Sequence, residues 1–104
     1  MSGTGWSAVE SARAVSRAAR ELSRSRPVQT VRPGQWVFTQ SAVNAGTWVQ
    51  VLTATQFVDH RNRDAVRLTF AGPSGRSEVI EARRGMPASV LTAAQARKAG
   101  LTGR

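Results

Sequence analysis

Most of the large apolar residues in this chain lie between Val28 and Leu91, and this distribution constrains the fold more than any other feature. Within that stretch they occur in short runs, separated by turns that contain glycine or proline. Short runs rich in β-branched and aromatic residues are typical of strands. The flanking segments are alanine-rich and basic. We therefore expect one small β core with helical flanks.

The middle stretch predicts an antiparallel sheet of four to five short strands. Residues 47–58 give the strongest strand signal, because they are rich in β-branched and aromatic side chains. Val66, Leu68 and Phe70 alternate with polar neighbours, as in a strand that buries one face. The other predicted strands are residues 28–31, 35–40, 65–70 and 76–83, with turns at 32–35, 59–64 and 71–75.

Both ends of the chain predict helices. Ser7 and Glu10 match the capping box of a helix start, and Pro27 ends the alanine- and arginine-rich run that follows. We therefore predict an amphipathic helix over residues 7–24. Thr92 and Gln95 form a second capping-box match, and Gly100 suits a helix C-cap, which predicts a short helix over residues 93–99.

Three segments carry a resemblance to a known group of proteins. Residues 31–37 are Val-Arg-Pro-Gly-Gln-Trp-Val, residues 47–51 are Thr-Trp-Val-Gln-Val, and residues 66–70 are Val-Arg-Leu-Thr-Phe. This pattern resembles small SH3-like barrels in short proteins of GC-rich bacteria and their phages, many of unassigned function. The resemblance covers residues 31–83 and implies a barrel of a kind that commonly binds nucleic acid or peptides.

The predicted fold class is therefore α+β, with an N-terminal amphipathic helix, a small SH3-like antiparallel barrel and a short C-terminal helix. The predicted organisation is a basic helix in residues 1–26, the barrel in residues 27–86, and the short helix with a tail in residues 87–104.

The residue inventory argues against catalysis and metal binding. The chain has no cysteine and one histidine, so thiolate chemistry is excluded and a structural zinc site is not expected. No phosphate-binding loop motif occurs. We predict a protein that is not an enzyme and needs no cofactor. No segment has the roughly 20 apolar residues of a membrane span, so we expect a cytoplasmic protein with no membrane partner.

The charge balance is the main functional signal. Basic residues outnumber acidic ones 15 to 6, which gives a formal net charge of +9 and predicts attraction to polyanions. A GC-rich genome would also favour arginine codons over lysine codons. That bias explains why Lys98 is the only lysine, but it does not explain the excess of basic over acidic residues.

The arginines fall into clusters along the sequence. Arg13, Arg17, Arg20 and Arg24 line one side of the first predicted helix, opposite its alanine-rich face. The candidate phosphate-binding residues are these four with Arg26, Arg32, Arg61, Arg63 and Arg67. A smaller cluster is Arg83 and Arg84. The alternative interpretation of each cluster is an ordinary solvated face.

Trp36 and Trp48 are candidates for stacking on bases, although aromatic residues in so small a domain usually form the core. The sequence predicts a small accessory protein that binds DNA or RNA mainly through phosphate contacts, with weak sequence specificity. The alternative is a structural or adaptor protein in a larger assembly, such as that of a phage, where the arginines bind an acidic protein partner.

Overall fold

The structure, a computed structural model, describes residues 4–39, 46–71 and 76–101, and describes side chains in the first helix from Glu10 onward. The elements, in chain order, are helix α1 (Thr4–Leu22), strand β1 (Arg24–Pro27), a 3-10 turn (Val28–Thr30), strands β2 (Trp36–Thr39), β3 (Thr47–Val58), β4 (Asp64–Ala71), β5 (Ser77–Arg83) and β6 (Pro87–Leu91), and helix α2 (Ala93–Ala99).

The six strands form one antiparallel sheet in the order β1-β6-β2-β3-β4-β5. The predicted α+β class, with one helix at each end of the chain, is confirmed. The sheet is open, because β1 and β5 lie at its two edges and do not pair with each other. A register shift between Val51 and Thr53 interrupts the pairing of β3 with β4. Such an irregularity bends a strand, and β3 is the strand that joins the two halves of the sheet.

Two apolar clusters lie on opposite sides of β2 and β6. The sheet cluster lies on one side and comprises Val28, Val31, Val37, Val49, Val51, Val66, Leu68, Phe70 and Val90. The helix cluster lies between the sheet and the two helices and comprises Ala19, Trp36, Trp48, Leu91, Ala96 and Ala99. Since successive strand residues point to opposite faces, Val90 enters the sheet cluster and Leu91 the helix cluster.

Local sequence signals placed several elements correctly. Strand β3 has the predicted bounds, and α2 has the predicted bounds and caps: Thr92 Oγ1 accepts from the Gln95 backbone N–H at 3.1 Å. Gly34 has a φ of +90° in the predicted turn, and the Gln35 N–H donates to the Arg32 carbonyl at 3.1 Å. A proline followed by a glycine favours this turn geometry.

The predicted strand at residues 28–31 is wrong. Val28–Thr30 is a 3-10 turn in which Thr30 Oγ1 donates to the Pro27 carbonyl at 2.7 Å. The Gln29 amide oxygen accepts from the Gly85 N–H at 2.8 Å and ties this turn to the connection between β5 and β6. Side-chain hydrogen bonds to the backbone compete with strand pairing in this way.

Strand β6 was not predicted, because residues 87–104 were assigned to a helix and tail. Pro87–Leu91 instead pairs with β1 on one side and with β2 on the other. Its proline is the first residue of the strand, a position that proline tolerates.

The first helix begins and ends earlier than predicted. It spans Thr4–Leu22, so Ser7 lies within the helix and is not its N-cap. Arg24 opens strand β1 and is paired with Val90. The helix ends just before Ser23, whose hydroxyl donates to the Arg20 carbonyl at 2.8 Å. No helix in the described ranges is both long and apolar enough to cross a membrane.

Candidate nucleic-acid interface

Helix α1 docks through its C-terminal half. Ala19 is fully buried, and Ala18 and Leu22 are partly buried against the helix cluster. Their contacts include Ala96 and Ala99 of α2, which present only methyl groups and so let the two helices approach closely. Because this face of α1 is held against the domain, its opposite face is directed to solvent.

That opposite face carries the predicted arginines. Arg13, Arg17 and Arg20 are all exposed. On a helix with about 100° per residue, they fall within an arc of about 60°, and Leu22 lies about 180° from Arg13. The structure therefore confirms that these three side chains share one outward face of α1.

Arg24 and Arg26 belong to a different surface. They lie on the edge strand β1, opposite Val90 and Ala88 of β6. Residues directly opposite in an antiparallel pair share a face, and Val90 belongs to the sheet cluster. The two arginines therefore project from the sheet edge on the side away from the helices. The prediction that four arginines line the first helix is therefore wrong for Arg24, which lies in strand β1.

None of these five arginines forms an ion pair in the described part of the chain. The ion pairs found there join Arg63 to Asp59 and Arg67 to Glu81. Together α1 and β1 present five exposed positive charges and one exposed negative charge, that of Glu21, over 14 residues of sequence, from 13 to 26. The α1–β1 basic surface is our name for these two neighbouring groups together, the outward face of α1 and the sheet edge, with the residues Arg13, Arg17, Arg20, Arg24 and Arg26.

The hairpin between β3 and β4 is a less favourable site than predicted. Arg63 Nε donates to Asp59 Oδ2 at 3.2 Å, and the backbone N–H groups of Arg61 and Arg63 donate to Asp59 Oδ1. The Arg63 backbone N–H contributes most to lowering the pKa of Asp59, burial acts in the opposite direction, and the Arg61 N–H and the Arg63 guanidinium lower it further. The Asp59 carboxylate is therefore kept in its charged form, and it holds the Arg63 guanidinium in an ion pair.

The Arg67 guanidinium also interacts with other side chains of the domain. Its Nε donates to Glu81 Oε2 at 2.8 Å, and its guanidinium carbon lies 4.5 Å from the centroid of the Phe57 ring. A phosphate would have to displace both partners. Arg61 and Arg32 are exposed, but they lie on separate turns, so the structure does not gather all the predicted arginines into one site.

Two basic residues that were not predicted lie beside α1. Arg97 and Lys98 are exposed in the last turn of α2, the helix that packs on α1. The signal in the sequence was their position in the last turn before Gly100, where cations also favour the helix dipole. They add positive charge to the helical side of the domain.

Trp36 and Trp48 are in the core, with exposed fractions of 7% and 9%. They lie beneath the helices in the helix cluster, and Trp48 meets Phe38 edge to face at a centroid distance of 5.3 Å. Neither ring offers a free face for a base, so the structure favours the core interpretation over stacking.

Comparison with known proteins gives no family assignment: no family model, curated protein or solved structure matches the chain.

Proposed function

We propose that this chain is a small accessory nucleic-acid-binding protein that holds its ligand mainly through phosphate contacts. The observation that carries the proposal is the α1–β1 basic surface, whose five arginines are exposed and form no ion pair in the described residues. A local excess of positive charge attracts a polyanion, and the cations condensed on a nucleic acid are released when arginines neutralise its phosphates.

The arrangement favours weak sequence specificity. The arginines of α1 and those of β1 lie on different faces of the domain, and phosphates are the groups that a nucleic acid presents at every position along its backbone. Binding of this kind fixes the position of the protein on a nucleic acid and depends strongly on salt concentration.

We further propose that the sheet is a partly open SH3-like barrel. Strands β2 to β5 form a meander, and β6 returns beside β2. The valines of β2 and β6 share the sheet cluster with Leu68 and Phe70 of β4, so the two halves of the sheet bend around one core. Small barrels of this type serve many functions, so the functional argument stays with the charged surface.

An adaptor that binds an acidic protein is the second candidate, and the exposed apolar residues of the sheet are compatible with it. Leu52, Val58 and Val79 are each about half exposed, at 49%, 56% and 53%. Scattered apolar residues of this kind fit a protein interface as well as solvent. In this alternative the arginines would meet carboxylates, and the chain would form a stable complex with one protein.

The test is fluorescence anisotropy of the purified chain with labelled duplex DNA, single-stranded DNA and structured RNA, with unlabelled polyglutamate as competitor. The proposal predicts salt-sensitive binding that polyglutamate displaces poorly. Absence of binding to all three nucleic acids at low salt would contradict it. Equal competition by polyglutamate and nucleic acid would favour the adaptor.

A further inference from the structure

One stretch of α1 has solvent on every side. The five consecutive residues from Glu10 to Ala14 are all exposed, including the alanines at 12 and 14. At about 100° per residue, five residues pass more than once around the helix axis. The described contacts of α1 begin further along, with Val15 beside Gly100 and with Ala18, Ala19 and Leu22. At this level the helix therefore projects beyond the domain.

The projecting stretch is slender, because Ser11, Ala12 and Ala14 have short side chains. It carries one acidic residue, Glu10, and one basic residue, Arg13, and the other arginines of α1 follow it at positions 17 and 20. An α-helix with its side chains is about 10–12 Å across, and the major groove of B-form DNA is about 12 Å wide. A helix surrounded by solvent and bearing short side chains can enter that groove without meeting the rest of the protein.

The aromatic residues of the sheet are not available for stacking on a single strand. Proteins that bind single strands place aromatic rings in a basic groove, where the bases stack on them. Trp36, Trp48 and Phe70 are buried, and Phe38 and Phe57 are partly buried. Trp6 belongs to α1, but its side chain lies outside the described part of the chain. The described side chains of the basic surface therefore offer charge on a helix, without an aromatic ring among them.

We propose that α1 inserts its projecting half into the major groove of B-form duplex DNA. Arg13 and Arg17 contact the groove and its flanking phosphates, and Arg20, nearer the domain, contacts the phosphate backbone. This inference rests on the proposed function and deepens it by naming the ligand class. It also distinguishes between duplexes, because A-form RNA has a deep, narrow major groove that protein side chains do not read.

The first experiment compares duplex DNA and duplex RNA of the same sequence and length at one salt concentration. We expect the DNA duplex to bind about tenfold or more tightly, since only its major groove admits a helix. DNA carrying glucosylated hydroxymethylcytosine, which fills the major groove, should bind about tenfold more weakly, whereas the minor-groove ligand netropsin should not compete. Equal affinity for the DNA and RNA duplexes would overturn the inference while leaving phosphate binding intact, whereas loss of all binding would remove both.

The second experiment changes the shape of α1 without changing its charge. Proline is tolerated in the first turn of a helix, so Ala14→Pro should leave the packed half of α1 in place and unfold the part that precedes it. We expect this variant to bind duplex DNA no better than duplex RNA.

Circular dichroism and thermal unfolding provide the control on folding. The Ala14→Pro variant should lose part of the helical signal and keep cooperative unfolding of the sheet. If the variant unfolds completely, the experiments with glucosylated DNA and with netropsin still test the inference, because they use the unmodified chain. Full DNA affinity in a variant that has lost this helical signal would overturn the inference.

Discussion

Gly100 lies against Val15, and this contact joins the C-cap of α2 to the middle of α1. A Cβ placed on Gly100 would come within 3.0 Å of Val15 Cγ2, and the residue has a φ of +100°. The absence of a side chain at Gly100 therefore serves both the left-handed C-cap and the approach of the two helices.

The first prediction follows from that contact. Gly100→Ala should lower the free energy of unfolding by about 1–3 kcal/mol, because it adds backbone strain and crowds Val15. Urea denaturation gives the measurement. The matched control is Gly85→Ala, since Gly85 has a φ of +90° but no atom within 4 Å of the added Cβ. If both variants lose the same stability, the contact with Val15 contributes nothing.

A second prediction concerns Leu91, which is fully buried where β6 meets the helices. Leu91→Ala should destabilise the fold by about 2–5 kcal/mol, because it opens a cavity in the helix cluster. Leu52→Ala, at a residue 49% exposed, should cost less than about 1 kcal/mol and serves as the control. Similar denaturation midpoints for the two variants would show that β6 does not hold the helices.

A third prediction concerns acid pH and Asp59. Its pKa is lower in the folded chain than the ordinary value of 3.8, chiefly because the Arg63 backbone N–H donates to it. A carboxyl group whose pKa is depressed by folding stabilises the fold at pH values above its ordinary pKa. This stability is lost as the pH falls from the ordinary pKa through the pKa of the folded chain. Asp59→Asn should remove the contribution of Asp59 to the fall of the free energy of unfolding at acid pH, measured between about pH 2 and 6.

Asp64→Asn provides the control for that experiment, because it leaves Asp59 and its hydrogen bonds in place. This variant should keep the acid sensitivity that Asp59 contributes. Unchanged acid sensitivity in the Asp59→Asn variant would contradict the interpretation of the hairpin.

A fourth prediction separates the two groups of arginines. Arg63→Gln and Arg67→Gln should each change the affinity for duplex DNA less than Arg13→Gln and Arg17→Gln do, because Arg63 and Arg67 already pair with carboxylates. Each variant removes one charge, so a purely global charge effect would weaken all four equally. Anisotropy at one salt concentration distinguishes these outcomes.

Local chemistry explains which elements could be predicted from the sequence. The bounds of β3 follow from its β-branched and aromatic content, and those of α2 from Thr92, Gln95 and Gly100, all within a few residues of the element they define. The outward face of α1 was likewise predictable, since the spacing of Arg13, Arg17 and Arg20 fixes their directions on any helix.

Pairing between segments distant in sequence determines the elements that the local sequence does not predict. Pro87–Leu91 has a weak strand signal of its own and becomes a strand between β1 and β2, far away in sequence. The same pairing takes Arg24 out of the helix that its neighbours favoured. The partners of Arg67 were also hidden, because Glu81 lies opposite it only once β4 and β5 pair in their observed register.

The most direct test of the central claim measures how the affinity for duplex DNA depends on salt. The unmodified chain should give a steep linear fall of log K with log salt concentration. The variant Arg13→Gln, Arg17→Gln, Arg20→Gln should have a slope shallower by about 0.9 for each phosphate that it no longer neutralises. The control Arg61→Gln, Arg76→Gln, Arg83→Gln removes the same net charge from exposed sites outside the α1–β1 basic surface, and it should keep nearly the original slope. Equal slopes in the helix variant and the unmodified chain would contradict the account.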